Sequence, residues 1–168
     1  MQSIGTVFIQ SALERFRYYK ALGDQTFAQL KDTDFHFSPN NESNSISVII
    51  RHMTGNMLSR WTDFLTTDGE KEWRERDKEF QVHPASKEEL LAQWEKGWTC
   101  CMDAIAELKE TDLLKTITIR GKALTVTDAI NGQLAHYPYH VGQMIFIAKM
   151  IRDKDFKCLS IPRSIDTA

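Results

Sequence analysis

The chain has 168 residues, 42% of them hydrophobic and 26% charged, and this length predicts one domain, residues 1–168, with a sizeable core. This composition excludes a disordered or collagen-like chain. Its 21 Lys and Arg residues against 23 Asp and Glu give a formal charge of −2, which argues against nucleic acid and membranes as partners.

The N-terminal stretch and the cysteines both indicate a cytoplasmic protein. Polar residues interrupt the apolar ones near the N-terminus and no basic segment precedes them, which is typical of a helix face and not of a signal peptide. The apolar run at 144–151 is too short to span a membrane. Cys100, Cys101 and Cys158 form no paired framework, which suits a reducing compartment. The adjacent pair is expected to pack on a helix, with redox activity as the alternative.

Apolar residues at spacings of three and four predict four amphipathic helices. They lie at about 4–30, 46–68, 87–108 and 128–151. Ser43 or Ser45 is the expected N-cap of the second helix. Ser86 and Glu89 form a capping-box pattern for the third, and Thr127 is the expected cap of the fourth.

Two connections refine the architecture. Residues 70–84 are charged without an apolar period, which predicts a long crossover with one helical turn. Residues 116–126 alternate and are rich in β-branched side chains around Gly121, which predicts a short hairpin. The expected fold is therefore all-α: a four-helix bundle with a long crossover between helices two and three and a short β-hairpin between helices three and four. Five charged crossover residues are interpreted as a solvated, ion-paired surface, with a substrate clamp as the alternative: Arg74, Glu75, Arg76, Asp77 and Glu79.

The five histidines divide into two groups. His136 and His140 lie four residues apart on the core-facing side of the fourth helix, a spacing at which two imidazoles can bind one metal ion. His52 lies at the edge of the apolar stripe of the second helix, which borders a neighbouring helix, so it can reach the same site. The alternative is hydrogen-bonded packing in the core. His36 and His83 are predicted to be exposed loop residues.

Other residues bear on this site. Pro138, between the two histidines of the fourth helix, predicts a kink, either as strain at a functional site or as a simple bend. Asn56 and Gln143 are candidates for hydrogen bonds that orient the histidines, or are polar residues at helix edges. Tyr137 follows His136 where an HExxH metalloprotease has Glu, and no P-loop, GxGxxG or GxSxG motif is present.

The histidines lie within longer motifs. A second helix with an inward histidine, a long crossover and a last helix with HxxxHxGQ resemble the DinB/YfiT-like superfamily of proposed metalloenzymes. Residues 51–80 and 134–151 look like an uncharacterised bacterial branch of it, a domain of unknown function. The tail LSIPR at 159–163 also fits, although Phe156 and Ser164 stand where Trp and Gly are usual. The resemblance covers nearly the whole chain.

The resemblance implies that helices two and three run parallel, that the protein forms a homodimer and that a divalent ion is held by His52, His136 and His140. Three neutral imidazoles leave the ion its full charge and an open position, as in catalytic sites. Zn or Ni is the expected ion. Such an ion acidifies bound water and deprotonates a coordinated thiol.

Some proteins of the superfamily are thiol S-transferases and others are metal-dependent hydrolases. The resemblance therefore implies a metal-dependent transferase that activates a low-molecular-weight thiol, or water, as the nucleophile towards a small-molecule substrate. The alternatives are a metal-dependent hydrolase and a non-catalytic, stress-associated bundle protein. In the latter a structural metal would only clamp the second helix to the fourth.

Overall fold

In the computed structural model, which describes residues 2–161, helices account for most of the chain. The helices and strands are α1 (Ile4–Phe27), α2 (Ile46–Trp61), α3 (Lys87–Ala106), β1 (Thr116–Ile119), β2 (Lys122–Thr125) and α4 (Val126–Arg152). The predicted helical bundle with a hairpin between α3 and α4 is confirmed. Part of the tail motif at 159–163, with Ser164, lies outside the described residues. In the described part of the chain, no helix combines the length and the apolar character needed to cross a membrane.

Each long helix begins at a hydroxyl side chain that accepts a hydrogen bond from an amide of the first turn. These caps are Ser3, Ser45, Ser86 and Thr125. The capping box of Ser86 with Glu89 is present as predicted. The predicted Thr127 cap of α4 is wrong by two residues, because Thr125 forms a capping box with Asp128 and the helix begins at Val126.

The predicted end of α2 near residue 68 is also wrong, since the helix ends at Trp61. Thr62 is extended, with ψ at 124°, and Asp63 takes a left-handed φ of 49°, a conformation that helices do not continue through. Phe64 is nevertheless buried. The apolar pattern of the sequence therefore continues beyond the end of the helix, because Phe64 is buried from the turn that follows it.

Helices α2 and α3 run parallel, as the resemblance implied. The Thr54 hydroxyl donates to the carbonyl oxygen of Gln93 at 3.1 Å, and further along both helices the Thr62 hydroxyl lies 3.6 Å from the Cys100 sulfur. Residue numbers thus increase in the same direction along the two helices. The crossover at 62–86 makes the return that a parallel pair requires.

Buried aromatic rings fill the middle of the bundle. Trp98 packs 5.5 Å from Tyr137 and 6.1 Å from Phe16, measured between ring centroids. The Tyr137 hydroxyl accepts from the Trp61 indole at 2.9 Å and donates to the Asn56 amide oxygen at 3.1 Å. Because Tyr137 follows His136 in α4, the packing of Tyr137 fixes the position along the bundle axis at which the histidines face α2.

The Asp68 carboxylate is a main contact between the crossover and the hairpin. Asp68 accepts from the backbone N–H groups of Arg120 at 2.9 Å, Gly121 at 2.8 Å and Glu70 at 2.7 Å. Hydrogen bonds from Gly121 and Glu70 lower the pKa of Asp68 to about 2. Gly121 has a φ of +69°, which a residue without a Cβ adopts freely.

Candidate metal centre

Three histidines meet between α2 and α4. The Nε2 atom of His136 lies 3.4 Å from Nε2 of His52 and 3.0 Å from Nε2 of His140. One nitrogen from each ring lies within 4.8 Å of the other two. His52 and His140 are buried and His136 is half-buried. The structure brings together the three residues that the helix-face argument had selected.

These separations fit three ligands around one ion. With Zn–N bonds of ~2.0–2.1 Å, two ligands lie ~3.4 Å apart at a tetrahedral angle and ~2.9 Å apart at a right angle. The two measured Nε2 separations, 3.0 and 3.4 Å, cover this interval. The donor set is also suitable, because neutral imidazole binds Zn, Ni, Cu and Fe.

The two histidines of α4 are held by amides of the same helix. His136 Nδ1 lies 3.0 Å from Oε1 of Gln133, and His140 Nδ1 lies 2.8 Å from Oε1 of Gln143. An amide oxygen only accepts, so both Nδ1 atoms carry the proton and both Nε2 atoms present a lone pair. Gln143 was one of the two candidates for this role. Gln133 was missed, although its position three residues before His136 is a signal of the same kind.

His52 is held from the crossover. Its Nδ1 donates to Oε2 of Glu79 at 3.0 Å, and Arg74 donates to the same carboxylate from Nε at 2.8 Å and from Nη2 at 3.0 Å. Arg74 and Glu79 are each only 9% exposed. The prediction of a solvated surface is therefore wrong for these two residues. It is correct for Arg76 and Asp77, whose side chains are 50% and 97% exposed.

A short turn of the crossover, Arg76–Phe80, delivers Glu79 to α2. The Phe80 ring lies 4.9 Å from the His52 ring, and the Arg51 guanidinium donates to two carbonyl oxygens at the end of the turn, at 2.6 and 2.7 Å. Gly55 makes room for the carboxylate, because a Cβ at this position would collide with Oε1 of Glu79. Glycine is therefore required at position 55, because the Glu79 carboxylate approaches the backbone of α2 closely there.

Electrostatics keep the α4 histidines neutral. Burial, reinforced by the neighbouring histidines, lowers the pKa of His136 to about 3. Burial also lowers the pKa of His140 to about 4, against the hydrogen bond to Gln143. Burial alone would raise the pKa of Glu79, but hydrogen bonds from His52 and Arg74 lower it below its usual value. At neutral pH His136 and His140 are therefore free bases, and Glu79 is an anion.

Facing lone pairs make a cation favourable at this point. With Nδ1 protonated in the neutral rings of His136 and His140, the two Nε2 atoms direct lone pairs at each other across 3.0 Å, and Nε2 of His52 lies 3.4 Å from that of His136. Such lone pairs repel unless a cation lies among them. The cluster could therefore hold a metal ion.

Three other candidate residues lie elsewhere. Asn56, one of the two candidates for orienting a histidine, bonds elsewhere, because its side-chain oxygen accepts from the hydroxyl of Tyr137. His36 and His83 are exposed, as expected. The His36 ring bonds through Nε2 to the carbonyl oxygen of Ala85 at 2.9 Å. Neither of these two histidines belongs to the cluster.

The fold and the site define a helical-bundle protein with a three-histidine cluster. The chain belongs to the family described as "Protein of unknown function (DUF1572)", which matches residues 3–165 and so includes all three histidines. Neither the curated proteins nor the solved structures gave a match.

Proposed function

We propose that His52, His136 and His140 hold a divalent ion, Zn or Ni, and that the protein is a metal-dependent transferase that activates a small thiol. The observation that carries the proposal is the convergence of three Nε2 atoms while each Nδ1 donates to an oxygen. The resemblance to the DinB/YfiT-like superfamily supports it, because thiol transferases occur there.

The number of ligands supports a catalytic site over a structural one. Structural zinc sites use four protein ligands, whereas catalytic sites use three and leave a position open. Among residues 2–161, no fourth His, Cys, Asp or Glu side chain joins the cluster. Glu79 is close, but its carboxylate is engaged by His52 Nδ1 and Arg74.

The chain's own residues prepare the site. Glu79, Gln133 and Gln143 fix the proton of each ring on Nδ1, which leaves Nε2 free to coordinate. Arg74 keeps Glu79 ionised and in place. A bound divalent ion would lower the pKa of a thiol or water ligand and so supply a nucleophile at neutral pH. Three neutral ligands leave the ion its full charge, which favours an anionic ligand such as a thiolate.

Elemental analysis of the purified protein tests the metal site. We expect about one equivalent of ion in the wild-type protein, as a mononuclear three-histidine site requires, and loss of that ion in His136→Ala. His36→Ala is the matched control, since His36 is exposed and outside the cluster. Unchanged metal content in His136→Ala would refute the ligand assignment.

A second experiment separates the possible activities. Co²⁺-substituted protein is titrated with small thiols, and the loaded enzyme is then assayed for thiol conjugation to chlorodinitrobenzene. A spectral shift with thiol-dependent product supports the transferase. Hydrolysis of ester substrates without thiol would support a hydrolase instead. A spectrum that responds to no thiol or anion would indicate a structural metal.

A further inference from the structure

A cleft of about 620 Å³ lies between α2, α4 and the connector that precedes α2, and Tyr139 and Gln143, two neighbours of His140 on α4, line it. Its walls include Glu42 from the connector, Ile49 from α2, and Tyr139, Gln143 and Phe146 from α4. Sites for small molecules have volumes of ~300–1,000 Å³. The cleft therefore has the size of a substrate site.

The cleft adjoins the metal centre through Gln143. This side chain accepts from Nδ1 of His140 at 2.8 Å and donates from Nε2 to the Tyr139 hydroxyl at 3.0 Å. Ile49 lies three residues before His52, a distance of ~4.5 Å along the helix. A molecule in the cleft would thus contact Gln143, the side chain that bonds directly to His140.

The lining determines what the cleft accepts. Among residues 2–161, Glu42 is the one charged residue that lines the cleft, and no Lys or Arg of this range does so. An anionic group would meet a carboxylate and no cation, whereas an amine or an uncharged polar group would not be repelled. Phe146 and Met150, 65% and 48% exposed, provide apolar surface for the body of a ligand.

Gly142 keeps this space open. It lines the cleft, and a Cβ built there meets nothing within 4 Å, so packing does not require glycine. Glycine within a helix costs ~1 kcal/mol relative to alanine. A larger residue at this position would fill part of the cleft without disturbing the core.

We propose that this cleft binds the electrophilic substrate, and that this substrate is a small molecule with an apolar body and no negative charge. The role as substrate rests on the proposed function, but binding to the cleft does not require the metal. Because no residue of the described part of the chain brings a cation to the cleft, a thiol that carries carboxylates would not be its preferred occupant.

Three probes with one apolar body test the charge rule: phenylbutylamine, phenylbutanol and phenylbutyrate. Binding to the full-length protein is measured by calorimetry and ligand-observed NMR, with and without chelator. We expect the amine and the alcohol to bind at least ~10-fold more tightly than the acid. A tenfold difference in affinity corresponds to ~1.4 kcal/mol. Glu42→Gln should narrow the preference for the amine over the acid.

Two glycines of the same helix provide a matched pair of variants. Gly142→Leu should weaken binding of the amine at least ~10-fold. Gly132→Leu should leave it unchanged, since Gly132 is equally open but does not line the cleft. If Gly142→Leu fails to fold, Phe146→Ser takes its place, because Phe146 is largely exposed.

The outcomes separate this proposal from the proposed function. Equal binding of the three probes, or wild-type binding by both Gly142→Leu and Phe146→Ser, would overturn the cleft assignment. Probe binding that persists in metal-free protein, together with absent metal uptake, would refute the metal site alone. Metal uptake without probe binding would refute the cleft alone.

Discussion

The two sides of the metal centre are built differently. On α4, His136 and His140 are each held by a neutral glutamine three residues away on the same helix. On α2, His52 is held by a charged residue 27 positions away, which arrives with the crossover. The α4 side is therefore complete once its helix forms. The α2 side depends on the docking of a separate segment.

Removal of the charged support should have the largest effect. Glu79→Ala removes both hydrogen bonds that buried Arg74 donates to the Glu79 carboxylate and leaves the guanidinium only Glu70, at 3.7 Å. Removal of one partner of a buried ion pair costs up to ~3–5 kcal/mol. We expect the free energy of unfolding of the metal-free protein to fall by about this amount in urea titrations near neutral pH. Glu75→Ala is the control, because Glu75 is 64% exposed and its loss should change stability by less than ~0.5 kcal/mol. Equal effects would show that Glu79 is not buried in solution.

Blocking the docking of the crossover should cost less. In Gly55→Ala the new methyl group displaces the Glu79 carboxylate, and such overpacking costs ~1–3 kcal/mol. Alanine also favours a helix more than glycine does, which offsets part of this loss of stability. Gly132→Ala, where nothing lies within 4 Å, should instead stabilise the protein by up to ~1 kcal/mol. Stabilisation by both variants in thermal unfolding would contradict the close contact.

Acid should weaken the α4 side. Since the folded pKa of His136 is about 3 and that of His140 about 4, both rings are neutral in the folded protein at pH values where the unfolded chain, with pKa ~6.5, binds protons. The contribution of the two neutral rings to the stability of the metal-free protein is therefore fully present above about pH 6.5, and it is lost as the pH falls towards 4. For each ring, the free energy of unfolding changes by less than ~1.4 kcal/mol per pH unit, because solvent screens the interactions of a partly exposed ring.

Urea titrations of metal-free protein between about pH 7 and about pH 5 measure this slope, since the unperturbed pKa of ~6.5 lies between them. The double variant His136→Gln, His140→Gln should show a flatter profile. A wild-type profile as flat as that of the variant would mean that the two rings are protonated in the folded state.

The neutral support on α4 should matter least. Gln143→Leu removes the acceptor of His140 but leaves the ring and the fold in place, so metal affinity should fall only ~10-fold, at the lower end for such partners. Glu79→Gln should cost more, because it replaces a charged acceptor. Competition with a zinc-binding dye measures both affinities. A greater loss in Gln143→Leu than in Glu79→Gln would reverse the comparison.

The parts that sequence reasoning predicted are those set by local geometry. The spacing of His136 and His140, the capping box at Ser86 and the apolar stripes follow from helical geometry, and they placed the bundle and the three-histidine cluster correctly. The hairpin followed from alternating, β-branched residues around Gly121. His52 was selected because it lies at the edge of its stripe. Gln143, part of the HxxxHxGQ motif, was one of two candidates for orienting a histidine.

The parts that were missed depend on contacts between distant segments. Arg74 and Glu79 have the composition of a surface, and their burial arises only because each neutralises the other against Gly55 of α2. Asn56 was placed at the edge of its helix, but it is buried and its side-chain oxygen accepts a hydrogen bond from the hydroxyl of Tyr137. No periodicity in the sequence contains this information.

The crossover also affects the dynamics of the site. It contains one short turn between α2 and α3 and has less buried apolar surface than the helices, so it should unfold locally at a lower free energy than the bundle. Each opening would separate Glu79 from His52 while α2 stays folded. In hydrogen-exchange measurements, we expect the amides of residues 76–80 to exchange before those of α2. His52 would then lose its partner without global unfolding.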